Sequence, residues 1–252
     1  MTNQRADAAQ ELETNVAAVR ERIAAAEAAS PYRQTVTLMA VTKTVSADRI
    51  NEAIDRCGIR CIGENRVQEL CEKYPHLHLD GVSVHLIGSL QKNKVKYIAD
   101  KVDMIHSLDS LSLAAEIDRQ AAKHSRTIDC LIEINIGREE AKGGIAPDEE
   151  ALLSFYDAVQ IYPHVRICGV MTVAPNCGTG DAAYAQYLTY FKETRRLFER
   201  LTEARLSAHP EITPVLSMGM SGSYEAAIVC GSHIVRVGSG IFGARIYPPS
   251  GR

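Results

Sequence analysis

Thr37-Leu38-Met39-Ala40-Val41-Thr42-Lys43 begins the decisive reading, because apolar residues fill its centre without a polar alternate. A strand with one wet face alternates in polarity. An unbroken apolar run fits a strand covered on both faces, as in a parallel sheet flanked by helices. Outward from this run the pattern repeats, with short apolar strands near 37–42, 59–63, 84–88, 103–106, 128–136, 166–171, 214–217 and 234–238. Between them lie Asp48–Cys57, Arg66–Tyr74, Lys94–Ala99, Ser110–His124, Pro147–Ile161, Asp181–Ala208 and Tyr224–Cys230, most rich in helix formers with one polar face. Strand and helix thus alternate through eight units, which predicts an α/β fold of the TIM-type (β/α)8 class. A doubly wound open sheet competes, but no G-x-G-x-x-G follows the first strand.

Upstream, residues 4–28 place Leu12, Val16, Val19 and Ile23 at helical spacing and predict an extra N-terminal helix. Ser46 or Ala47 before Asp48, Ser110, and Pro147 with Asp148 and Glu149 mark helix starts, whereas Gly58 and Gly231 mark exits. No Pro/Gly/Ser-rich linker divides the 252 residues, so one domain over 1–252 is expected, with 1–30 as the leading helix.

Composition narrows the function. A net charge of −3 with acidic and basic residues interspersed offers no field for a nucleic-acid backbone. No apolar stretch approaches the roughly 20 residues of a membrane span, and the N-terminus is polar rather than signal-like. Neither nucleic acid nor membrane is an expected partner, and a cytoplasmic location is expected. Seven cysteines are spread without a C-x-x-C pair, which argues against a disulfide framework. Cys57 and Cys61 with His76, His78 and His85 match no common zinc spacing, so no metal is expected.

In a barrel of this class, active sites form at the C-terminal ends of the strands. Lys43 stands at the first such end. A lysine there is usually solvated, but an amine held in an apolar mouth loses charge more easily and can attack an aldehyde. Asn65 follows the second strand and fits either a helix cap or a site residue. His85 alternates with apolar neighbours and reads as a buried, hydrogen-bonded imidazole. The last two strand ends, Leu216-Ser217-Met218-Gly219-Met220-Ser221-Gly222 and Val235-Arg236-Val237-Gly238-Ser239-Gly240, are turns of small residues whose N–H groups suit an anion. Either turn alone is weak, since glycine usually serves a sharp bend. Two of them at successive exits, beside a lysine on a neighbouring strand, point to a carbonyl ligand bearing a phosphate.

The same fragments resemble the pyridoxal phosphate homeostasis protein family, relatives of the alanine racemase barrel domain. They are Ala40-Val41-Thr42-Lys43-Thr44, Ile62-Gly63-Glu64-Asn65 with Gln68-Glu69, His85-Leu86-Ile87-Gly88 with Leu90-Gln91 and Asn93-Lys94, Gly169-Val170-Met171-Thr172, and the two turns above with Ile241-Phe242-Gly243. The resemblance implies pyridoxal 5′-phosphate (PLP) bound to Lys43 as an internal aldimine. It also implies Ser217 and the backbone around Gly238 and Ser239 on the phosphate, Arg236 at the ring nitrogen or phosphate edge, and Asn65 and Met218 within the binding set. A guanidinium at the ring nitrogen would disfavour its protonation and weaken the cofactor as an electron sink. This chain departs from the family in having Gly222-Ser223 where an acidic residue is common, and Ser89 in place of proline.

By resemblance, the expected function is vitamin B6 homeostasis: buffering, protection or delivery of PLP, with apo-enzymes as recipients. The racemase's second, β-rich domain is expected to be missing, which favours a monomer. Two alternatives stay open. A PLP-dependent racemase needs a second acid/base, usually a tyrosine, and Tyr32, Tyr74 and Tyr247 lie outside the strands. A Schiff-base aldolase would want carboxylates near the lysine, and the strand ends supply Glu64.

Overall fold

The computed structural model describes residues 2–139 and 141–243. Among them, eight strands run parallel and close in chain order: β1 Thr37–Val41, β2 Cys61–Glu64, β3 Ser83–Leu86, β4 Met104–Leu108, β5 Ile128–Ile134, β6 Val165–Thr172, β7 Val215–Met220 and β8 Ile234–Val237. β8 pairs with β1 through Leu38 opposite Val235 and Met39 opposite Arg236, which completes the ring. The helices are α1 Thr2–Ala29, α2 Ala47–Cys57, α3 Val67–Lys73, α4 Leu111–Lys123, α5 Glu149–Val159, α6 Asp181–Ala204, α7 Tyr224–Val229 and α8 Ser239–Phe242. The TIM-type barrel read from the sequence is therefore the observed fold.

Local chemistry explains the boundaries. The Ser46 hydroxyl accepts from Arg49 N–H at the start of α2, and Gly58 ends that helix with φ +61°. Asp148 caps α5 by accepting from Ala151 N–H, one step before the helix it was expected to enter. The segment read as a helix over 94–99 is a 3₁₀ turn over Lys92–Tyr97. The predicted 181–208 helix stops at Ala204, with a 3₁₀ turn after it. α6 buries Tyr187, Phe191, Leu197 and Phe198 against the barrel, so its aromatic stripe is packing.

Among the strands, the largest boundary change is in β7. Ser217 pairs with Ile234 but Met220 with Arg236, so three steps on β7 match two on β8. This bulge carries β7 to Met220, three residues beyond the predicted end. Gly219 permits it at φ +92°, where an added Cβ would lie 2.6 Å from the Ala227 Cβ on α7.

α8 has only four residues and cannot cover the seam between β8 and β1. α1 lies there instead, burying Leu12, Val16, Val19 and Ile23 in the common core and packing on α7, α8 and α2. Asn15 Nδ2 donates to Ile241 O, and Arg22 pairs with Glu225. Inside the ring are two small apolar clusters, Met39, Cys61, Ile87 and Ile234 in one and Met104, Leu131, Cys168 and Met171 in the other.

Candidate functional site

At the C-terminal end of the barrel a cavity of about 260 Å³ is lined by Lys43, Asn65, Arg236, Gly238 and Ser239, together with Ser221, Gly222 and apolar Val41, Ile87 and Val173. Five of the seven sequence-predicted site residues thus meet around one space. Lys43 and Ser239 also border an adjoining hollow toward Phe242 and Gly243.

Lys43 is presented by a pinned turn. Glu64 is 1% exposed, and its carboxylate accepts from Thr42 Oγ1, Asn65 N–H and Lys73 Nζ. Lys73 Nζ donates as well to Thr42 O and to Glu69, whose carboxylate accepts from Thr44 N–H. Both neighbours of Lys43 are therefore anchored through one ion network that is buried at Glu64 and partly exposed at Lys73 and Glu69. Thr44 is held at φ +64°, a costly conformation for a β-branched residue, so the surroundings impose the turn. Glu64 supports the lysine's backbone; it does not line the cavity.

Asn65 does not cap α3, whose N-cap is Arg66 without a side-chain bond. Its Oδ1 is buried and unpartnered, an acceptor left open at the cavity wall. Close by, an added Cβ on Gly88 would lie 2.3 Å from Asn65 O, so the loops after β2 and β3 touch.

Arg236 is 4% exposed and donates from Nη1 to Ser217 Oγ at 2.7 Å and from Nη2 to Thr172 O at 2.7 Å. Burial lowers its pKa to about 10, against the raising influence of Glu133. It remains cationic at neutral pH.

Ser217 and Met218 lie outside the cavity lining. With β7 extended by its bulge, Ser217 is fully buried in the barrel interior, its hydroxyl bonded to Arg236 and His106. Met218 points outward into the main core, and its peptide is held by the Ser232 hydroxyl. On the β7 side the hydroxyl at the mouth is that of Ser221, which accepts from Gly238 N–H at 3.2 Å and ties the two glycine turns together. Sequence reasoning missed Ser221 as a site residue; the signal was Gly219, a residue suited to a bulge that shifts the strand end.

Beside the first cavity, a second of about 300 Å³ shares Asn65, Ile87 and Val173 and extends to Glu133 and Lys142. Burial, reinforced by Asp109, pushes the Glu133 carboxyl up to about 7. Lys142 borders this space with a half-exposed side chain paired to Glu139. Among the described residues no tyrosine lines either cavity. Tyr32 stacks under Arg195 and Tyr74 lies near Lys101, while Tyr247 falls outside the described residues.

The family model for the alanine racemase N-terminal domain matches residues 14–246. A pyridoxal phosphate homeostasis protein of Aquifex aeolicus is 41% identical over 91% of this chain and 96% of its own length. The chain belongs to that family. A crystal structure of a Bifidobacterium adolescentis protein superposes with a TM-score of 0.82 at 33% identity, covering 94% of this chain and 96% of that one. PipY of Synechococcus elongatus, solved with PLP bound, gives a TM-score of 0.75 at 30% identity over 92% of this chain and all of PipY. Family membership thus agrees with the resemblance carried by the strand-end fragments.

Proposed function

We propose that this protein holds PLP in the barrel mouth through the Lys43 amine and serves vitamin B6 homeostasis by buffering, protecting or delivering the cofactor. The observation that carries this reading is the convergence of Lys43, Asn65, Arg236, Gly238 and Ser239 on one cavity. Each part of PLP has a counterpart there. Lys43 supplies the amine for the aldehyde. The Ser221 and Ser239 hydroxyls and the Ser239 and Gly240 N–H groups suit a phosphate, since the first turn of α8 begins its internal bonds only at Ile241 N–H. Arg236 suits the ring nitrogen, the open Asn65 side chain offers an unmet hydrogen bond, and Val41, Ile87 and Val173 suit a flat ring. The bound cofactor would supply a conjugated electron sink for amines. PipY, a 30% identical relative solved with PLP, supports the same reading.

The residues favour holding over turnover. Arg236 is a donor only and stays charged, so it opposes protonation of a ring nitrogen beside it. A racemase's tyrosine has no counterpart among the described cavity residues. Glu133, half protonated near neutrality, is suited to passing one proton as amines exchange at the mouth. One barrel domain acts alone in the cytoplasm as a monomer, with apo-enzymes as recipients.

The test is a PLP titration followed by absorbance. Wild type should develop a visible band that Lys43→Ala lacks, and the loaded protein should reactivate an apo-enzyme. Racemisation of alanine or serine at ordinary enzymatic rates would overturn the holding role. A colourless wild type would overturn PLP binding itself.

A further inference from the structure

Four buried polar side chains cross the barrel interior and make contact in series. Arg236 Nη1 lies 2.7 Å from Ser217 Oγ, which lies 3.1 Å from His106 Nδ1, and His106 Nε2 lies 2.9 Å from His85 Nδ1. His85 Nε2 ends the series 3.9 Å from Cys61 Sγ. None of the four is more than 6% exposed. Arg236 borders the mouth, whereas His85 borders a separate cavity of about 600 Å³ with Arg20, Arg60 and Ser83. The cofactor reading above uses only Arg236.

The direction of the series follows from hydrogen-bond chemistry. A guanidinium has no acceptor, so Arg236 must donate to Ser217. Ser217 then has its own proton to place, and its other partner is His106 Nδ1. Accepting there leaves the His106 proton on Nε2, which donates to His85 Nδ1. His85 in turn carries its proton on Nε2, toward the weakly accepting Cys61 sulfur. Burial agrees with two neutral rings: it lowers the His85 pKa to about 4 and that of His106 well below its usual value. A cationic His106 would set a second positive charge beside Arg236 and a second donor against Ser217.

We infer that Ser217 and His106 are positioning residues for Arg236, fixing the guanidinium at the mouth through a one-way donor chain that runs Arg236 to Ser217 to His106 to His85. The inference rests on the PLP reading for what Arg236 meets, but the chain itself exists without a ligand. Thr172 O alone would otherwise anchor Arg236, leaving a buried N–H unmet and the group free to turn.

Nitrogen NMR of the full chain, labelled in histidine and free of cofactor, tests the direction. Two buried imidazoles should show the neutral form with the proton on Nε2 from about pH 6 to 8. A cationic His106, or one protonated on Nδ1 alone, would overturn the chain. PLP titration then tests its purpose. Ser217→Ala and His106→Leu should each weaken affinity about tenfold or more. His106→Asn, whose side-chain oxygen falls near the Nδ1 position, should restore most of that loss. In an Arg236→Leu background, Ser217→Ala should cost nothing further. Equal losses with and without Arg236 would mark Ser217 as merely structural and sink the positioning role. A wild type without a visible band would remove the cofactor reading and the chain's purpose, while the imidazole signals would still decide its direction.

Discussion

Buried neutral histidines tie this protein's stability to pH. His85 and His233 are both lowered to about 4 by burial, and burial also holds His106 well below its usual value. The unfolded imidazoles take up protons near pH 6.5 but folded His85 and His233 only near 4, so between those values the unfolded state binds more protons. Stability should therefore fall as pH drops from about 6.5 to 4, by on the order of 3 kcal/mol for His85 alone. Urea unfolding at pH 7 and pH 5 checks this, and equal midpoints would contradict neutral burial. At the mouth, Glu133→Gln should leave PLP affinity nearly unchanged but slow transfer to a free amine about tenfold or more, because the exchangeable proton is gone. Stopped-flow decay of the visible band would measure it. Among single residues, Lys43 was legible as the polar end of an apolar strand. His106 was not, because its meaning depends on Ser217 and Arg236, far away in the chain.

Strands and turns decide which of these residues reach the mouth. The bulge in β7 moves the strand end from Ser217 to Met220, so Ser217 turns inward and Ser221 takes the place at the cavity. An apolar run shows that a strand exists but not where a glycine adds a step, and this is why the serine lining the mouth, Ser221, lies four residues beyond the Ser217 expected there. Gly219→Ala should cost about 2 to 5 kcal/mol, combining left-handed strain with crowding of Ala227 and Tyr224. It should also weaken PLP binding, and urea unfolding with absorbance titration would separate the two effects. The exit of β1 depends on charge rather than on glycine. Lys73→Met would leave Glu64 and Glu69 without their shared cation, which should destabilise by about 3 to 5 kcal/mol. A change below about 1 kcal/mol, the range of exposed pairs, would show that the network does not hold the Lys43 turn.

For the molecule as a whole, the barrel was legible because each strand is covered on both faces and each crossover is long enough to return parallel. The amphipathic stripe of α1 was legible too. Its destination was not, since helical spacing identifies a face without naming what the face meets. With α8 only four residues long, α1 acts as the missing outer layer over β8 and β1. Leu12 is fully buried there, so Leu12→Ala should cost about 2 to 5 kcal/mol. Hydrogen exchange should quicken first in α8, where Asn15 holds Ile241 O.

That arrangement sets a timetable for the nascent chain. Glu225 and Ile241 leave the ribosome 203 and 226 residues after their partners Arg22 and Asn15. Until those segments emerge, the part of the α1 stripe that meets α7 and α8 stays uncovered, a natural stretch for a chaperone to shield. Its docking is complete only after β8 has emerged, so α1, which precedes every strand, is the element that seals the finished ring.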